Sequence, residues 1–145
     1  MVTIRRFKKD DFFPVMRLIY DLFPERYDSH LIINLFETFP EGFLVAEENN
    51  RVVGFILGVK PSGDAARILL LGVSEGERKK GVGSCLLNRF INTMVLKGSK
   101  RIELEVRVSN KEAVCFYKKH GFHTVRTLPN FYRAGEDAYL MMRWL

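Results

Sequence analysis

The spacing of apolar residues along the chain alternates between a pattern typical of strands and one typical of helices. In residues 101–108 every second residue is apolar, which predicts a strand with one buried face. In residues 29–38 the apolar residues recur at positions i, i+1, i+4 and i+5, which predicts an amphipathic helix. The patterns together predict strands at 2–7, 43–48, 51–59, 67–73, 101–108, 122–127 and 137–144, and helices at about 11–23, 29–38, 82–97 and 109–121. Because strands and helices alternate, we expect an α/β or α+β protein in which helices cover a sheet.

The second half of the chain also carries information about packing. Residues 67–73 are apolar on both faces of the predicted strand, so this strand is expected at the centre of the sheet. Because Cys85 and Cys115 both fall in helical patterns, we expect buried apolar residues rather than a disulfide. The spacing of Ser109 and Glu112 predicts a capping box at the start of the last helix. The expected core positions of the helix before it are Val82, Cys85, Leu86, Phe90 and Met94, with Leu87, Ile91 and Val95 as further candidates.

Composition and charge limit the class of protein without selecting one. The 145 residues are 47% apolar and 28% charged, and no linker divides them, so we expect a single globular domain, 1–145. No apolar run approaches the roughly 20 residues of a membrane helix, and no signal peptide is evident, which predicts a cytoplasmic location. The net charge of +6 leaves nucleic acid, a phosphate-bearing cofactor and simple solubility as alternatives. No metal is predicted, because His30, His120 and His123 have no zinc-binding spacing.

A glycine-containing turn, residues 78–84 (RKKGVGS), joins the predicted central strand to the helix that follows it. The first N–H groups of a helix lack partners and the helix dipole is positive there, so this position favours a phosphate group. Gly81 and Gly83 allow the backbone to come close to a ligand, and residues 78–80 add positive charge. The turn lacks the Gly-Lys-Ser/Thr of a Walker loop and the third glycine of a dinucleotide fingerprint. The residues alone favour an anionic cofactor, with a tight, solvated turn as the alternative.

Two motifs in this half of the chain carry a family resemblance. Residues 78–83 (RKKGVG) resemble the R/Q-x-x-G-x-G/A motif of the GCN5-related N-acetyltransferases. Residues 110–122 resemble that family's N-x-x-A-x-x-[FL]-Y-x-x-x-G-F motif, and the predicted order of elements is similar from end to end. The resemblance implies a mixed, splayed sheet of about seven strands flanked by about four helices. It also implies that acetyl-CoA lies in a gap between strands 67–73 and 101–108.

The resemblance implies roles for the residues around that gap. The backbone N–H groups from Lys79 to Ser84 would bind the pyrophosphate of acetyl-CoA, and the N–H group of Val73 would bind the thioester carbonyl. Tyr117 would be the general acid for the departing thiolate, although its position beside Phe116 also suits a packed core aromatic. The implied cofactor contacts are Leu71, Val73, Arg78, Lys79, Lys80, Gly81, Val82, Gly83, Ser84, Asn110 and Tyr117.

Shorter segments resemble acetyltransferases that modify protein N-termini. Residues 104–110 (LEVRVSN) resemble a stretch of the bacterial ribosomal-protein-alanine N-acetyltransferases, which implies that Glu105 is the general base. Residues 23–27 (FPERY) resemble a loop of archaeal and eukaryotic N-terminal acetyltransferases, and residues 135–139 (GEDAY) resemble their C-terminal segment. Where that subfamily has a tyrosine pair, this chain has Phe131 followed by tyrosine, so one hydroxyl is missing. The implied substrate contacts are Phe23, Pro24, Glu25, Tyr27, Tyr132 and Tyr139.

The chemistry of the acceptor amine favours an N-terminus over a lysine. An α-amino group with a pKa near 7.7–8.0 is roughly one-tenth neutral at pH 7, whereas a lysine with a pKa near 10.4 is about 0.04% neutral. A carboxylate acting through water is then a sufficient base. Glu25 is a second candidate for that base, and Glu105 lies on the polar face of its strand, where a solvated side chain is the alternative.

We therefore expect an acetyl-CoA-dependent N-acetyltransferase that acts on protein or peptide N-termini, with ribosomal proteins and nascent chains among the possible substrates. A related enzyme that modifies a small-molecule amine or a lysine side chain is an alternative with the same cofactor site. A nucleic-acid-binding module without chemistry would use the positive charge directly. The glycine turn, Glu105 and Tyr117 argue against that module, so no direct recognition of nucleic acid is expected, and the oligomeric state is left open.

Overall fold

The computed structural model describes residues 1–25, 27–61 and 63–145, which form a sheet of seven strands and four α-helices. In chain order the elements are β1 (Thr3–Arg6), α1 (Phe12–Leu22), α2 (Ser29–Thr38), β2 (Phe43–Glu48), β3 (Arg51–Val59), β4 (Ala65–Val73), α3 (Val82–Leu96), β5 (Arg101–Arg107), α4 (Lys111–Lys119), β6 (His123–Leu128) and β7 (Ala138–Trp144). Each predicted element is confirmed, with bounds that differ by at most two residues. None of the described helices is both long and apolar enough to cross a membrane.

The sheet is mixed, and its strand order is β1-β2-β3-β4-β5-β7-β6. The pair formed by β4 and β5 is parallel, and the other five neighbouring pairs are antiparallel. The parallel pair is the strand–helix–strand unit predicted from the sequence, in which α3 crosses from β4 to β5. The predicted central strand therefore lies at the centre, with three strands on each side of it.

The two central strands separate soon after they begin. β4 and β5 pair only through Ala65–Arg67 and Arg101–Glu103, so the rest of each strand diverges from the other. Leu69, two residues beyond the last pair, has no partner on β3 either, because Leu57 pairs with Leu70 and Gly58 pairs with Ile68. Such a bulge bends the strand that carries it. The splay implied by the family resemblance is confirmed, and it opens toward the carboxyl ends of β4 and β5.

Helices cover the sheet on both faces, and each face has its own apolar core. On one face, Val15 and Ile19 of α1 and Ile32 of α2 pack with buried residues of β2, β3 and β4. On the other face, α3 and α4 pack with buried residues of β2, β3, β4, β5 and β7, and Val114 and Tyr117 are the buried residues of α4. The buried residues of α3 are Val82, Leu86, Leu87, Phe90, Ile91 and Met94. Most of the expected core positions of that helix are thus confirmed.

Some expectations about individual side chains are wrong. Cys85 and Cys115 are both free, as predicted, but both are exposed rather than buried. Each lies beside the buried stripe of its helix, because the apolar neighbours Leu86 and Val114 occupy the core-facing positions. Val95 is likewise 51% exposed. A helix that presents one stripe to a core leaves the flanking positions in solvent whatever their polarity.

The cap of α4 also differs from the expected one. The Asn110 side chain, rather than that of Ser109, accepts a hydrogen bond from the Ala113 N–H group at 3.2 Å. The Ser109 hydroxyl instead donates to Glu136 Oε2 at 3.0 Å. Both residue types are good caps, and the long-range partner of Ser109 decides between them.

Candidate active site

The splay between β4 and β5 opens into a groove of about 610 Å³, called here the central groove. Its walls come from the last turn of α1, the end of β4, the turn after β4, the N-terminus of α3 and one face of α4. Of the residues with implied cofactor contacts, ten line it: Leu71, Val73, Arg78, Lys79, Gly81, Val82, Gly83, Ser84, Asn110 and Tyr117. Lys80 does not; its ammonium group is paired with Glu77 at 3.0 Å.

The N-terminus of α3 presents unpaired backbone donors to the central groove. The first helical bond runs from Cys85 N–H to the Gly81 carbonyl at 3.0 Å, so the three N–H groups before it have no acceptor within the helix. Gly81 precedes the helix with a φ of +83°, in the left-handed region that glycine adopts without strain. A Cβ on Gly83 would lie 3.4 Å from the Phe116 ring, which is ordinary van der Waals contact between the start of α3 and α4. Unpaired N–H groups and the positive end of the helix dipole together suit a phosphate group.

The end of β4 supplies another backbone donor. Ser74 N–H donates to the Val53 carbonyl at 2.9 Å, so it points toward β3. Because N–H groups alternate in direction along a strand, the Val73 N–H group points the opposite way, into the opening on the β5 side. The Arg78 Nε donates to the carbonyl of the same Val73 at 3.3 Å, which folds the turn back against the strand.

Tyr117 lines the central groove and is also part of the core beneath it. Its side chain is 8% exposed, and its ring lies edge-on to Phe116 and Phe122, with centroids 5.3 and 5.5 Å away. The two interpretations from the sequence therefore describe the same side chain. Burial, with a smaller contribution from Tyr132, raises the pKa of Tyr117 well above its usual range. The phenol is accordingly protonated at neutral pH and can donate a hydrogen bond.

A second group of polar residues, the Arg107 cluster, lies on the face of β5 that points away from α3 and α4. It consists of Arg107 with Glu25, Glu136, Ser109 and Tyr132. The Arg107 guanidinium donates to Glu25 in the α1–α2 loop and, at 3.0 Å, to Glu136 in the β6–β7 loop. Its Cζ atom lies 4.0 Å from the centre of the Tyr132 ring, within the range of a cation–π contact. One side chain thus joins the two loops that the family resemblance assigns to substrate binding.

Tyr132 connects the Arg107 cluster with the central groove. Burial raises the pKa of Tyr132 to about 12, Arg107 lowers it, and the charges of Glu25 and Glu105 raise it further. The same phenol contributes to the raised pKa of Tyr117. Burial and the charge of Glu25 also raise the pKa of Tyr27. The charges of Glu25, Glu105 and Arg107 thus all act on the phenol of Tyr132.

Glu105 acts on this phenol through its charge and does not line the central groove. It is not a solvated side chain: 18% of it is exposed, and Arg67 of β4 donates a hydrogen bond to its Oε2 atom. The neighbouring Glu103 accepts from the same guanidinium at 2.9 Å. The second candidate base, Glu25, is occupied by Arg107. Sequence reasoning missed both arginines because their partners are distant in the chain.

The structure does not bring every implied substrate contact to the same place. Phe23 lines the central groove, and its ring lies 6.4 Å from those of Tyr27 and Phe55. Pro24 is exposed in the loop after α1. Tyr139 pairs with Val106 and packs against the core on the α3 face, whereas Glu105 pairs with the next residue of β7 and faces the other way. Arg26, the remaining member of the FPERY segment, lies outside the described residues.

Other residues of the central groove were not expected from the sequence. Glu112, Cys115 and Lys119 line it from α4, at spacings of three and four residues. Counting along the helix from Asn110 could have identified this face. In residues 1–25, 27–61 and 63–145, no group of three or more His, Cys, Asp and Glu side chains is arranged to hold a metal ion.

Together, the fold and the central groove define an acetyltransferase that uses acetyl-CoA as its donor. The model of the acetyltransferase (GNAT) family matches residues 10–122, and the chain belongs to that family. An N-alpha-acetyltransferase of Saccharolobus solfataricus is 31% identical over 153 residues, covering 97% of this chain and 92% of that protein.

Two solved structures show how closely the fold is shared. Ard1 from Thermoplasma volcanium superimposes with a TM-score of 0.95 at 41% identity, covering 99% of this chain and 97% of that chain. Naa50 from Arabidopsis thaliana, in complex with the bisubstrate analogue CoA-Ac-MVNAL, has a TM-score of 0.87 at 29% identity, covering 98% and 97%. The fold implied by the two sequence motifs is therefore confirmed.

Proposed function

We propose that this enzyme transfers the acetyl group of acetyl-CoA to the α-amino group of protein N-termini. The position of Tyr132 carries the proposal. Its phenol couples electrostatically to Tyr117 in the central groove and to the carboxylates of Glu25 and Glu105. An amine held near Tyr132 would lie within electrostatic reach of Tyr117 in the groove and of both carboxylates. The N-alpha-acetyltransferase of Saccharolobus solfataricus and the Naa50 complex with a bisubstrate analogue support this choice.

The residues of the central groove fit acetyl-CoA. The unpaired N–H groups of Val82, Gly83 and Ser84 suit its pyrophosphate, and the left-handed Gly81 leaves space in front of them. The groove continues from this helix end to Val73 and Tyr117, so one extended ligand could reach from phosphates to reaction site. Acetyl-CoA supplies the acetyl group as a thioester.

The chain's own residues then provide what acetyl transfer requires. The Val73 N–H group donates to the carbonyl oxygen, which gains negative charge as the amine nitrogen forms its bond to the carbonyl carbon. Tyr117 donates a hydrogen bond to the sulfur as the carbon–sulfur bond breaks. Glu105, acting through water, takes the proton that the amine loses. The proton balance closes when Tyr117 passes its phenolic proton to the departing thiolate and regains one from solvent, while Glu105 releases the amine proton to solvent.

An N-terminal amine suits this site better than a lysine for two reasons. Two carboxylates whose charges act on Tyr132 would attract an ammonium group, and a roughly one-tenth neutral α-amine needs only a weak base to lose its proton. A lysine has far less neutral amine at pH 7, and Glu25 and Glu105 are both already paired with arginines. The smaller demand that an α-amine makes on a base therefore favours it as the acceptor.

The proposal is tested by measuring CoA release from acetyl-CoA with peptides that carry a free or a blocked N-terminus, with and without lysine, and with polyamines. We expect activity on free N-termini that is lost when the N-terminus is blocked. Peptides from ribosomal-protein N-termini belong in the panel, because the LEVRVSN segment resembles enzymes that modify such proteins. Equal activity on blocked, lysine-bearing peptides, or a preference for polyamines, would overturn the proposed substrate.

Two variants test the assigned roles with the same assay. Glu105→Gln and Tyr117→Phe are each expected to lower kcat at least tenfold, since general acid and base catalysis contributes about 10²–10⁴-fold in enzymes. Glu103→Gln is the matched control, because Glu103 lies on the same face of β5 and binds the same arginine. We expect its kcat within twofold of the unmodified enzyme. A kcat for Glu105→Gln as high as that of the control would remove Glu105 from the mechanism.

A further inference from the structure

Arg67 lies at the point where the two central strands separate. It is the last residue of β4 that pairs with β5, directly opposite Glu103. Beyond it the strands diverge into the central groove, which Arg67 itself does not line. Its guanidinium extends along the same face as Glu103 and Glu105, since residues two apart on a strand share a face.

The contacts of Arg67 leave one oxygen of Glu105 free. Arg67 Nη1 donates to Glu103 Oε1 at 2.9 Å, and Nη2 donates to Glu105 Oε2. The other oxygen of Glu103 accepts from Arg101 Nε at 2.7 Å. Within residues 1–25, 27–61 and 63–145, Glu105 Oε1 has no hydrogen-bond partner. The two donors of the Arg67 guanidinium thus hold Glu105 by one oxygen and leave its other oxygen available to accept a proton.

We propose that Arg67 is a positioning residue that orients Glu105 for acceptance of the amine proton. This inference rests on the proposed role of Glu105 as base. A planar guanidinium that donates to two carboxylates fixes both in direction, which a lysine ammonium does less well. Without Arg67, two like charges would face each other on one strand face, and Glu105 would rotate away from its neighbour. The free Oε1 atom would then lose its fixed position.

Replacing Arg67 by glutamine is expected to lower kcat for a free N-terminal peptide at least tenfold. The KM for acetyl-CoA should stay within twofold, because Arg67 lies outside the central groove. Arg67→Lys keeps the charge but has no fork of donors, so it should recover part of the lost kcat. A merely structural role would instead lower kcat and cofactor binding together, in proportion to the loss of folded protein.

Arg101→Gln is the matched control, since Arg101 donates to Glu103 and not to Glu105. Its kcat is expected within twofold of the unmodified enzyme. Thermal unfolding of each variant shows that the comparison is made on folded protein. If Arg67→Gln does not fold, Arg67→Lys carries the test, with an expected kcat two- to fivefold lower.

A double-mutant cycle distinguishes this inference from the proposed function. In the Glu105→Gln background, adding Arg67→Gln should change kcat by less than twofold, because there is no base left to orient. If the two losses multiply instead, Arg67 acts elsewhere and the inference is overturned. If Glu105→Gln lowers kcat but Arg67→Gln does not, the inference fails while the proposed function stands. If Glu105→Gln has no effect, the role of Glu105 and this inference both fail.

Discussion

Replacing Gly81 by alanine tests whether the N-terminus of α3 binds acetyl-CoA in the conformation described above. Gly81 has a φ of +83°, where a residue with a Cβ costs roughly 1–2 kcal/mol. A Cβ added there would meet no atom within 4 Å, so backbone strain is the only cost. Gly98, just beyond the C-terminus of α3, has a φ of +86° and equally open space, so Gly98→Ala is a control with matched strain.

The two substitutions should differ in their effects on stability and on binding. Gly98→Ala is expected to lower the free energy of unfolding by about 1–2 kcal/mol, or the Tm by a few degrees, and Gly81→Ala is expected to lower that of the unliganded protein by less. In unliganded Gly81→Ala, the turn can relieve its strain by rotating away from the left-handed conformation. Binding would require the N–H groups of residues 82–84 to return to the positions that they have when residue 81 is left-handed. The strain then weakens binding by about 5- to 30-fold, since 1.4 kcal/mol is a tenfold change in Kd.

Isothermal titration with CoA and calorimetric unfolding of both variants check this prediction. We expect Gly98→Ala to bind CoA as tightly as the unmodified enzyme. An undiminished stability together with an unchanged Kd in Gly81→Ala would show that the turn has relaxed and that its left-handed conformation is not required for binding. The assignment of the pyrophosphate to the N–H groups of residues 82–84 would then be refuted.

Two further predictions concern charge and pH. Lys119 lines the central groove and forms no ion pair with the described residues, so Lys119→Met should raise the Kd for CoA several-fold, an effect that 0.5 M salt diminishes. Lys111→Met, on the same helix outside the groove, should not change the Kd. Burial raises the pKa of Tyr132 to about 12, so the unfolded chain loses this proton near pH 10 while the folded chain keeps it. The stability that this phenol contributes is complete below pH 10 and is lost as the pH rises toward 12. Urea unfolding between pH 9 and 11.5 should therefore show a smaller loss of stability in Tyr132→Phe than in the unmodified enzyme, and equal losses would contradict the burial of this phenol.

The elements of the fold follow from short-range patterns in the sequence. Residues 43–48 and 51–59 flank two asparagines, and both Asn49 and Asn50 adopt positive φ in the turn between the strands. Alternation along β5 predicted its buried face correctly. The burial of Cys85 and Cys115 was predicted wrongly, because apolar character alone does not show where the edge of a helix stripe falls.

The sequence predicts the candidate site less completely, because some of its residues are neighbours in the chain and others are far apart in it. Residues 78–84 are contiguous, so their approach to one groove follows from a strand, a turn and a helix. The ion pairs of Arg67 and Arg107 join residues 38 and 82 positions apart in the chain. No spacing rule predicts which of several arginines on a polar strand face meets which carboxylate.

The short contact between β4 and β5 has a mechanical consequence for the enzyme. Three residues on each strand hold the two halves of the sheet side by side by backbone pairing, and beyond them the two strands diverge. A ligand in the central groove would contact Val73 on one half and Tyr117 on the other. It would therefore stabilise the position of the two halves relative to each other. A ligand present at one hundred times its Kd adds about 2.7 kcal/mol to the stability of the state that binds it. Bound acetyl-CoA would thus stabilise the contact between the two halves of the sheet, and that contact would be weaker after the products leave.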